Sequence, residues 1–359
     1  MARIHLRALR TVEEEPISLS SKCAVCLLLI SAALAVPLSS GPAHGSAPPD
    51  KQGARISLLI ATGMPGGTYY RVGLGMASLW TTNLKSKGIR VSAAISEGSR
   101  ENIEAIRIAD ADLILAENLF CSTAYHGTGG YKGRPLEELR AIASLWQDTV
   151  HILIRKDLVK TGTIKDLQGV ILATGLPESG NRFTTELLLK TIPGGIKSVR
   201  MRSMSSLAGA EAVRKGTVQA FDLTGGIPVP LVTGLFSESS VALELLDIPD
   251  SSLEMLKREG WKDVSRVVIP AETYPGQAKP VRTVGSANVL ATTASLNPEV
   301  VYELTRALFE SLEYLATVHP ACRNISAEKA LMGMDIPLHR GAERYYRERN
   351  IEIPPHGLQ

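Results

Sequence analysis

Short apolar strands alternate with amphipathic helices along most of this 359-residue chain, and that order constrains the fold more than any other feature. An apolar run of strand length covers residues 56–61, and apolar residues then recur at helical spacing over residues 72–80. Residues 55–146 follow the order strand, helix, strand, helix, strand, loop, strand, and a second series of the same kind occupies residues 150–260. Such alternation is typical of open, largely parallel α/β sheets. We therefore predict an α/β protein with two lobes.

The tail of the chain returns to helices after the second series. The segment NPEVVYELTRALFESLEYLATVHP predicts one long helix that begins at an Asn297 cap. Two α/β lobes and a returning tail require two crossings between lobes, which predicts a hinged ligand-binding architecture; two domains in simple series would leave the tail unexplained. Lobe 1 then comprises residues 55–149 plus 285–359, and lobe 2 comprises residues 150–284. The segments LRAIASLW and VHILIRKD are predicted to form separate strands on either side of the first crossing.

The N-terminal segment differs from the rest of the chain. The 14-residue apolar run CAVCLLLISAALAV follows several basic residues and precedes a small-residue, Pro-rich stretch. These are the three parts of a secretory signal peptide, and the run is shorter than the roughly 18–20 apolar residues that a spanning helix needs. We therefore predict that residues 1–47 form a signal peptide and a small-residue linker, and that the mature protein is periplasmic. An uncleaved membrane anchor is the alternative.

The charge balance argues against nucleic acid as a partner. The net charge is +3, and the 21% of residues that are charged are of both signs and interspersed. The sequence contains no Lys/Arg-rich block with interleaved aromatic residues, which is the usual signature of a nucleic-acid-binding surface. We therefore predict no nucleic-acid partner.

Three strand-to-helix turns are rich in small and polar residues: GMPGGTYY, SEGSRENI and LPESGNRF. The backbone N–H groups in the first turn of a helix lack partners within the helix and favour a negatively charged group. One such turn is ordinary helix capping, but three in one chain indicate a shared acidic ligand. Ligands of open α/β sheets bind at the carboxyl ends of the strands, where these turns lie.

Motifs for nucleotide, metal or covalent chemistry are missing from the sequence. The glycines of GMPGG do not have the G-x-G-x-x-G spacing, and no G-x-x-x-x-G-K-[ST] motif occurs. No H-E-x-x-H, clustered Cys/His or G-x-S-x-G pattern occurs either. Cys121 lies five residues before His126, but a catalytic Cys–His pair also needs a third, orienting group. The chain is therefore predicted not to be an enzyme and to carry no cofactor or metal.

Longer blocks of the sequence resemble one family, the TAXI-type solute-binding proteins of TRAP (tripartite ATP-independent periplasmic) transporters. The resemblance runs from about residue 56 to residue 348 and includes GMPGGTYYRVGLGMASLW, SEGSRENIEAIRIADADLILAEN, AYHGTGGYKGRPLEELRAIASLW, IPAETYPGQAKPVRTVG and IPLHRGAERYYRE. It implies a two-lobe, periplasmic-binding-protein-like fold of type II with a hinge and C-terminal helices. It also implies that the protein binds a small organic acid, a dicarboxylate or an amino or keto acid such as glutamate or 2-oxoglutarate, and delivers it to membrane permease subunits.

The resemblance also assigns ligand-binding residues. In the second lobe, Ser179 and Gly180 match the S-G-T turn of the family, but Asn181 replaces the usual threonine, and Thr224 and Gly225 of DLTGG complete that side. The first-lobe turns supply Gly66, Gly67, Thr68, Tyr69, Gly98, Ser99 and Asn102.

Two more predicted ligand-binding residues depart from the family pattern. Glu117 and Asn118 stand in LILAEN where the family more often has a neutral pair such as Gln-Ser. A carboxylate at Glu117, if it faces the cleft, would repel a dianion and favour a ligand with an amine. Ile227 likewise stands where an aromatic residue is common.

Two other functions stay open at this point. A receptor that presents its ligand to a sensor kinase would have the same features in its mature sequence. An exported enzyme on the same hinged fold would need a nucleophile–base or metal constellation. The expected mode of action is closure of the two lobes on the ligand, since only a ligand with differential affinity for the closed state can shift that equilibrium.

Overall fold

The computed structural model describes residues 55–238 and 241–353. The predicted signal peptide and linker over residues 1–47 lie outside the described residues. Among the described helices, none is long and apolar enough to cross a membrane.

Ten strands within the described ranges form one mixed sheet. Its main path has the order β2-β1-β3-β10-β4-β7-β5-β6, with β8 paired to β4 and β9 paired to β10. The strands are β1 (Ile56–Ala61), β2 (Ile89–Ala94), β3 (Leu113–Glu117), β4 (Leu139–Arg155), β5 (Ile171–Thr174), β6 (Arg200–Ser203), β7 (Ala220–Gly225), β8 (Leu243–Leu245), β9 (Ser265–Ile269) and β10 (Val281–Thr293). The outer pairs β1–β2, β1–β3, β5–β6 and β5–β7 are parallel, whereas the pairs that involve β4 or β10 are antiparallel. Two parallel groups of strands therefore flank a central antiparallel pair.

Strands β4 and β10 carry the chain from one parallel group to the other. The two strands predicted around residues 139–157 are in fact the single 17-residue strand β4. The prediction of a break was wrong because the polar residues at the centre of β4 are paired with neighbouring strands. Gln147 and Asp148 pair with β10, and Thr149 pairs with both β10 and β7. Gly285, on β10, is the cross-strand partner of Thr149.

The helices lie between and beyond these strands. They are α1 (Thr68–Asn83), α2 (Ser99–Arg107), α3 (Asn118–His126), α4 (Gly180–Leu189), α5 (Ser206–Arg214), α6 (Pro230–Glu238), α7 (Asp250–Arg258), α8 (Pro298–Phe309), α9 (Leu312–Val318) and α10 (Arg340–Glu348). Short 3₁₀ helices cover Lys85–Lys87, Gly129–Tyr131, Lys156–Leu158, Ile164–Leu167, Gly195–Ser198 and Pro320–Asn324.

The long C-terminal helix predicted from Asn297 is two helices, α8 and α9. The Asn297 cap is present, with its Oδ1 accepting a hydrogen bond from Glu299 N at 2.8 Å. The helix then breaks at Ser311, whose Oγ accepts a hydrogen bond from Asn83 Nδ2 at 3.2 Å. The break lets α9 turn so that Leu315 is fully buried. The prediction of one helix was wrong because an apolar stripe does not show where a helix bends around its neighbours.

The C-terminal helices pack against the first α/β series, as the predicted return of the tail requires. Trp80 of α1 is fully buried and donates its indole N–H to Leu304 O at 2.9 Å. Helix α10 approaches α8 so closely that a Cβ on Gly341 would lie 2.2 Å from Pro298 O. Helix α1, whose start contributes to the site below, is thus held near its end by packing from the C-terminal part of the chain.

Candidate functional site

A cavity of about 80 Å³ lies between the two parallel groups of strands. Around it converge the starts of α1, α2 and α4, the three turns that the sequence singled out, together with the start of α5. Eleven of the fourteen predicted ligand-binding residues line it: Gly67, Thr68, Tyr69, Gly98, Ser99, Glu117, Ser179, Gly180, Asn181, Thr224 and Gly225.

The start of α1 contacts the opposite side of the cavity. Thr68 Oγ1 accepts a hydrogen bond from Gly226 N at 3.0 Å and lies 3.2 Å from Gly226 O, to which it donates. The Thr68 hydroxyl is therefore occupied by the chain that follows β7. These bonds join residues far apart in sequence and keep the cavity closed on this side.

Tyr69 carries its hydroxyl into the floor of the cavity. The side chain is buried and packs edge-on against Trp146, with the ring centroids 6.0 Å apart. Its hydroxyl donates to Asn288 Oδ1 and lies 3.5 Å from Ser99 Oγ. Asn288 is held in turn because its Nδ2 donates to Trp146 O at 3.2 Å.

The start of α2 is fixed by a glycine with a left-handed backbone. Gly98 precedes the helix with φ of +95°, which side chains other than glycine rarely adopt. Ser99 Oγ accepts a hydrogen bond from Glu117 N at 3.1 Å, so the helix start is tied to the end of β3. The Ser99 hydroxyl therefore orients the chain at Glu117.

The start of α4 approaches α2 across the cavity. Ser179 caps α4, with its Oγ accepting a hydrogen bond from Arg182 N at 3.1 Å. A Cβ on Gly180 would lie 3.2 Å from Ser99 Cβ, so glycine permits this approach. Asn181, the departure from the family's threonine, donates from Nδ2 to Asp222 Oδ2 at 3.0 Å. The replacement therefore ties α4 to a buried carboxyl group on β7.

Two buried carboxyl groups form the floor of the cavity. Glu117 and Asp148 are each 3% exposed. Glu117 Oε2 accepts a hydrogen bond from Ser286 Oγ at 3.3 Å, and Asp148 Oδ1 accepts one from Trp146 Nε1 at 2.8 Å. Burial raises the pKa of Glu117 well above its usual range, and the nearby Asp148 raises it further.

Burial also raises the pKa of Asp148, to about 6, although polar contacts from Trp146, Asn288 and Tyr69 oppose the rise. Glu97, at the start of α2, is a third acidic residue of the lining. No lysine, arginine or histidine occurs among the described residues that line the cavity. The site therefore combines helix N-termini, which favour negative charge, with carboxyl groups, which favour positive charge.

Gly66 and Asn102, two of the three predicted ligand-binding residues outside the cavity lining, form hydrogen bonds with the backbone of other segments. Gly66 does not line the cavity; its carbonyl oxygen accepts a hydrogen bond from Leu231 N at 3.3 Å. Asn102 is fully buried, and its Nδ2 donates to Thr62 O and Leu115 O, both at 2.7 Å. Asn102 thus fastens α2 to the ends of β1 and β3.

Asn118, the third residue outside the lining, begins α3. Its Nδ2 donates to Gly333 O at 2.8 Å. Its side chain also contacts the carboxyl group of Asp263 and lowers the pKa of that group, which burial raises to about 6. Asn118 therefore links α3 to two segments of the C-terminal half of the chain.

Some lining residues were missed by sequence reasoning. Asp148 is the most important of them because it is one of the two carboxyl groups of the floor. The sequence pattern that could have indicated it is the polar segment QDT between two apolar runs. That interruption was interpreted as a chain crossing and not as part of a site. The other missed lining residues are Gly63, Met64, Glu97, Gly175, Ser206 and Leu223.

Residues 60–349 match the model of the NMT1-like family. The chain belongs to this family. Its superfamily is that of the periplasmic solute-binding proteins, which are ligand-binding receptors and are typically periplasmic.

Several solved structures are similar to this NMT1-like chain. A protein from Bordetella bronchiseptica RB50 is 16% identical, with a TM-score of 0.50 over 82% of this chain and 98% of the other. MatC from Rhodopseudomonas palustris, solved with bound malate, is 16% identical, with a TM-score of 0.49 over 75% and 88%. The ligand-binding core of GluR0 from Nostoc punctiforme, solved with L-glutamate, is 14% identical, with a TM-score of 0.43 over 73% and 96%. The predicted α/β, periplasmic-binding-protein-like fold of type II is confirmed.

Proposed function

We propose that this NMT1-like protein is the extracytoplasmic solute receptor of a TRAP-type transporter, of the TAXI group. It binds a small organic acid in the cavity and delivers it to the membrane permease subunits. The observation that carries this proposal is the convergence of three helix starts, from α1, α2 and α4, on one cavity between two parallel groups of strands. The unpaired N–H groups of these helix starts suit an anionic group of a ligand.

The proposed lobes divide at the central antiparallel pair. Residues 55–149 and 285–359 form lobe 1, and residues 150–284 form lobe 2. Thr149 and Gly285, at the two divisions, are cross-strand partners in β4 and β10. If both strands bend at this pair of residues, the two lobes move relative to each other as rigid bodies, which is the hinge type of domain closure.

The closed form is held by contacts between residues of the two proposed lobes. Thr68 bonds Gly226 at one side of the cavity, as described above. At the other side, Arg100 Nη1 donates to Pro177 O at 2.9 Å, and Arg100 Nη2 lies 3.2 Å from Glu178 Oε2. Because an exposed ion pair contributes only about 0–1 kcal/mol, ligand contacts to both lobes must supply most of the bias toward closure.

Export and delivery follow from the same role. A periplasmic receptor of this kind requires the signal peptide proposed for residues 1–47, which directs the chain across the inner membrane. The closed, ligand-bound form would dock on permease subunits. Presentation of the ligand to a sensor kinase is the second candidate, and a neighbouring gene for a many-helix membrane protein or for a histidine kinase would distinguish the two.

A thermal-shift screen of amino acids, keto acids and dicarboxylates tests ligand binding by the mature protein. At 100 times Kd, a ligand should add about 2.7 kcal/mol to the free energy of unfolding and raise Tm. Small-angle scattering should show a smaller radius of gyration with that ligand. If a sugar or a peptide raises Tm and no small acid does, the proposed function is wrong.

Gly180→Ala is a matched test of the cavity. The added Cβ would lie 3.2 Å from Ser99 Cβ, so the closed form must open slightly, and we expect ligand affinity to fall about tenfold, which corresponds to ~1.4 kcal/mol. Gly234→Ala is the control, because a Cβ there meets no atom within 4 Å. If calorimetric titration gives the same ligand affinity for Gly180→Ala and Gly234→Ala, the ligand does not bind in this cavity.

A further inference from the structure

We propose that Glu117 and Asp148 form an ammonium-binding pair, so that the cavity selects a small zwitterionic α-amino acid over a dicarboxylate or a keto acid. This inference rests on the proposed function, because it assigns a ligand class to the same cavity. It follows from where the two carboxyl groups lie, what they bond and what surrounds them.

The two carboxyl groups lie on β3 and β4, the two strands that flank β10, and face the same side of the sheet. On β10, Asn288 is the cross-strand partner of Glu117 on β3, and Ser286 is the partner of Asp148 on β4. Residues two apart in a strand point to the same face, and directly opposite residues share a face. Glu117 and Asp148 therefore flank one polar strip of β10, under the hydroxyl of Tyr69.

Both carboxyl groups retain capacity for hydrogen-bond donors. An ionised carboxylate can accept about four hydrogen bonds. Glu117 accepts one, from Ser286 to Oε2, and its Oε1 accepts none from the described residues. Asp148 accepts one from Trp146 and has further polar contacts with Asn288 and Tyr69, which leaves it less free capacity than Glu117. Since an ammonium group has three N–H donors and a positive charge, it suits both groups at once.

The described lining supplies no other positive charge for these carboxylates. It contains no lysine, arginine or histidine, and a buried carboxylate is costly unless it is paired. A dicarboxylate would add negative charge to a floor that already has two carboxyl groups. A ligand that brings one cation and at most one anionic group therefore suits this floor better than a dianion.

That single anionic group has its own place at the starts of α2 and α4. These helix starts approach each other at Gly98, Ser99 and Gly180. Their free N–H groups and helix dipoles favour a carboxylate. Since Ser99 also bonds the backbone of Glu117, this place lies beside the floor, as the adjacent ammonium and carboxylate of an α-amino acid require.

The volume limits the ligand to a small side chain. One buried water needs roughly 10–15 Å³, so a cavity of about 80 Å³ holds only several water-sized groups. Two polar atoms of the lining residues are buried without a hydrogen-bond partner among the described residues, Asn181 Oδ1 and Thr224 Oγ1. They offer polar partners for a ligand on the lobe 2 side.

A matched ligand series on the wild-type protein tests the proposal without any substitution. Alanine and serine would be compared, by calorimetric titration at pH 7.5, with lactate and pyruvate, which keep the carboxylate but lack the amine. Succinate and 2-oxoglutarate test the dianions, and ethylamine tests the amine without a carboxylate. We expect the best amino acid to bind at least 100-fold more tightly than any of these analogues.

Variants then assign the selectivity to the carboxyl pair. Glu117→Gln and Asp148→Asn should each reduce the affinity ratio of amino acid to hydroxy acid at least tenfold, whereas Glu313→Gln on the exposed face of α9 should leave the ratio unchanged. Circular dichroism and Tm would verify that each variant is folded. The ligand series on the wild-type protein decides the proposal if a variant is not folded.

The outcomes separate the two proposals. If keto acids or dicarboxylates bind as tightly as the amino acid, the ammonium-binding pair is wrong and the solute-receptor role stands. If ethylamine binds as tightly as the amino acid, the carboxylate site at α2 and α4 is wrong. If no small acid of any class binds, both the proposed function and this inference fail.

Discussion

At the scale of single residues, buried carboxyl groups dominate the surroundings of the cavity. Asp222 of β7 is 1% exposed and accepts hydrogen bonds from Thr174 Oγ1 at 3.2 Å, from Asn181 Nδ2 at 3.0 Å and from Thr185 Oγ1. Burial raises its pKa to about 7, although these donors oppose the rise. A carboxyl group whose pKa is higher in the folded state than in the unfolded state binds more protons when folded. Its contribution to stability is therefore present at low pH and lost as pH rises through about 7.

Asp222→Asn should reduce the pH dependence of stability. Between the unfolded pKa near 4 and the folded pKa of about 7, Asp222 lowers the free energy of unfolding by roughly 1.4 kcal/mol per pH unit. Urea unfolding at pH 5 and pH 8 should thus show a steeper loss of stability in the wild type than in the variant. Asp110→Asn, at an exposed position after α2, is the control. Equal losses in wild type and Asp222→Asn would mean that Asp222 is ionised throughout this range.

Some residues of the site were predictable from the sequence alone, and others were not. The three turns were recognisable because small and polar residues at helix starts have a direct physical meaning. Asp148 was missed because its role depends on the neighbour that β10 supplies, which comes from a segment more than a hundred residues later. Asn102 looked like a ligand residue because it stands in the same turn as Ser99, but its amide bonds the backbone of two strands.

At the scale of elements, the close pairing of β4 with β10 determines how the two halves are joined. A Cβ on Gly285 would lie 2.0 Å from Asp148 O and 3.1 Å from Val267 Cγ2. The first of these atoms belongs to backbone in the middle of a sheet and cannot move without disturbing the ladder. Glycine at position 285 thus permits the crossing strands to approach beside the carboxyl pair.

Gly285→Ala should destabilise the fold by about 1–3 kcal/mol, the usual cost of inserting a carbon into a packed site. Urea unfolding at pH 7 would measure the change. Gly234→Ala in helix α6 serves as the matched control and should be neutral or stabilising by up to about 1 kcal/mol, since glycine disfavours helix interiors. If Gly285→Ala is as stable as the wild type, β4 and β10 are not closely packed at position 285, which would contradict the structure.

Element boundaries were predictable where local chemistry marks them and not elsewhere. The cap at Asn297 was recognisable because its side chain accepts a hydrogen bond within its own turn. The end of α8 was not, because Ser311 is held by Asn83, a residue distant in sequence. Strand β4 likewise continues through a polar stretch because its partners are supplied by β7 and β10.

At the scale of the whole molecule, the order of elements was the most informative part of the sequence. Two α/β series followed by a returning helical tail predicted a hinged α/β protein with two lobes, and the family resemblance implied the type II fold. The α/β, periplasmic-binding-protein-like fold of type II is confirmed. The division into lobes and the movement between them are proposals, and the hydrogen bonds of Thr68 with Gly226, which join the two proposed lobes, support them.

The proposed closure on a ligand changes the distance between the two proposed lobes, and spin labels can measure that distance. Spin labels would be attached at Lys132→Cys in lobe 1 and Lys197→Cys in lobe 2, both of them exposed positions. The native Cys121 and Cys322 are buried, and burial raises the pKa of the Cys322 thiol to about 12, so they should react slowly with the label.

Pulsed electron–electron double resonance would then measure the distance between the two spin labels with and without the tightest amino acid of the ligand series. We expect a broad or longer distribution without ligand and a single shorter distance with it. The same distribution in both samples, at a ligand concentration 100 times Kd, would contradict capture by closure.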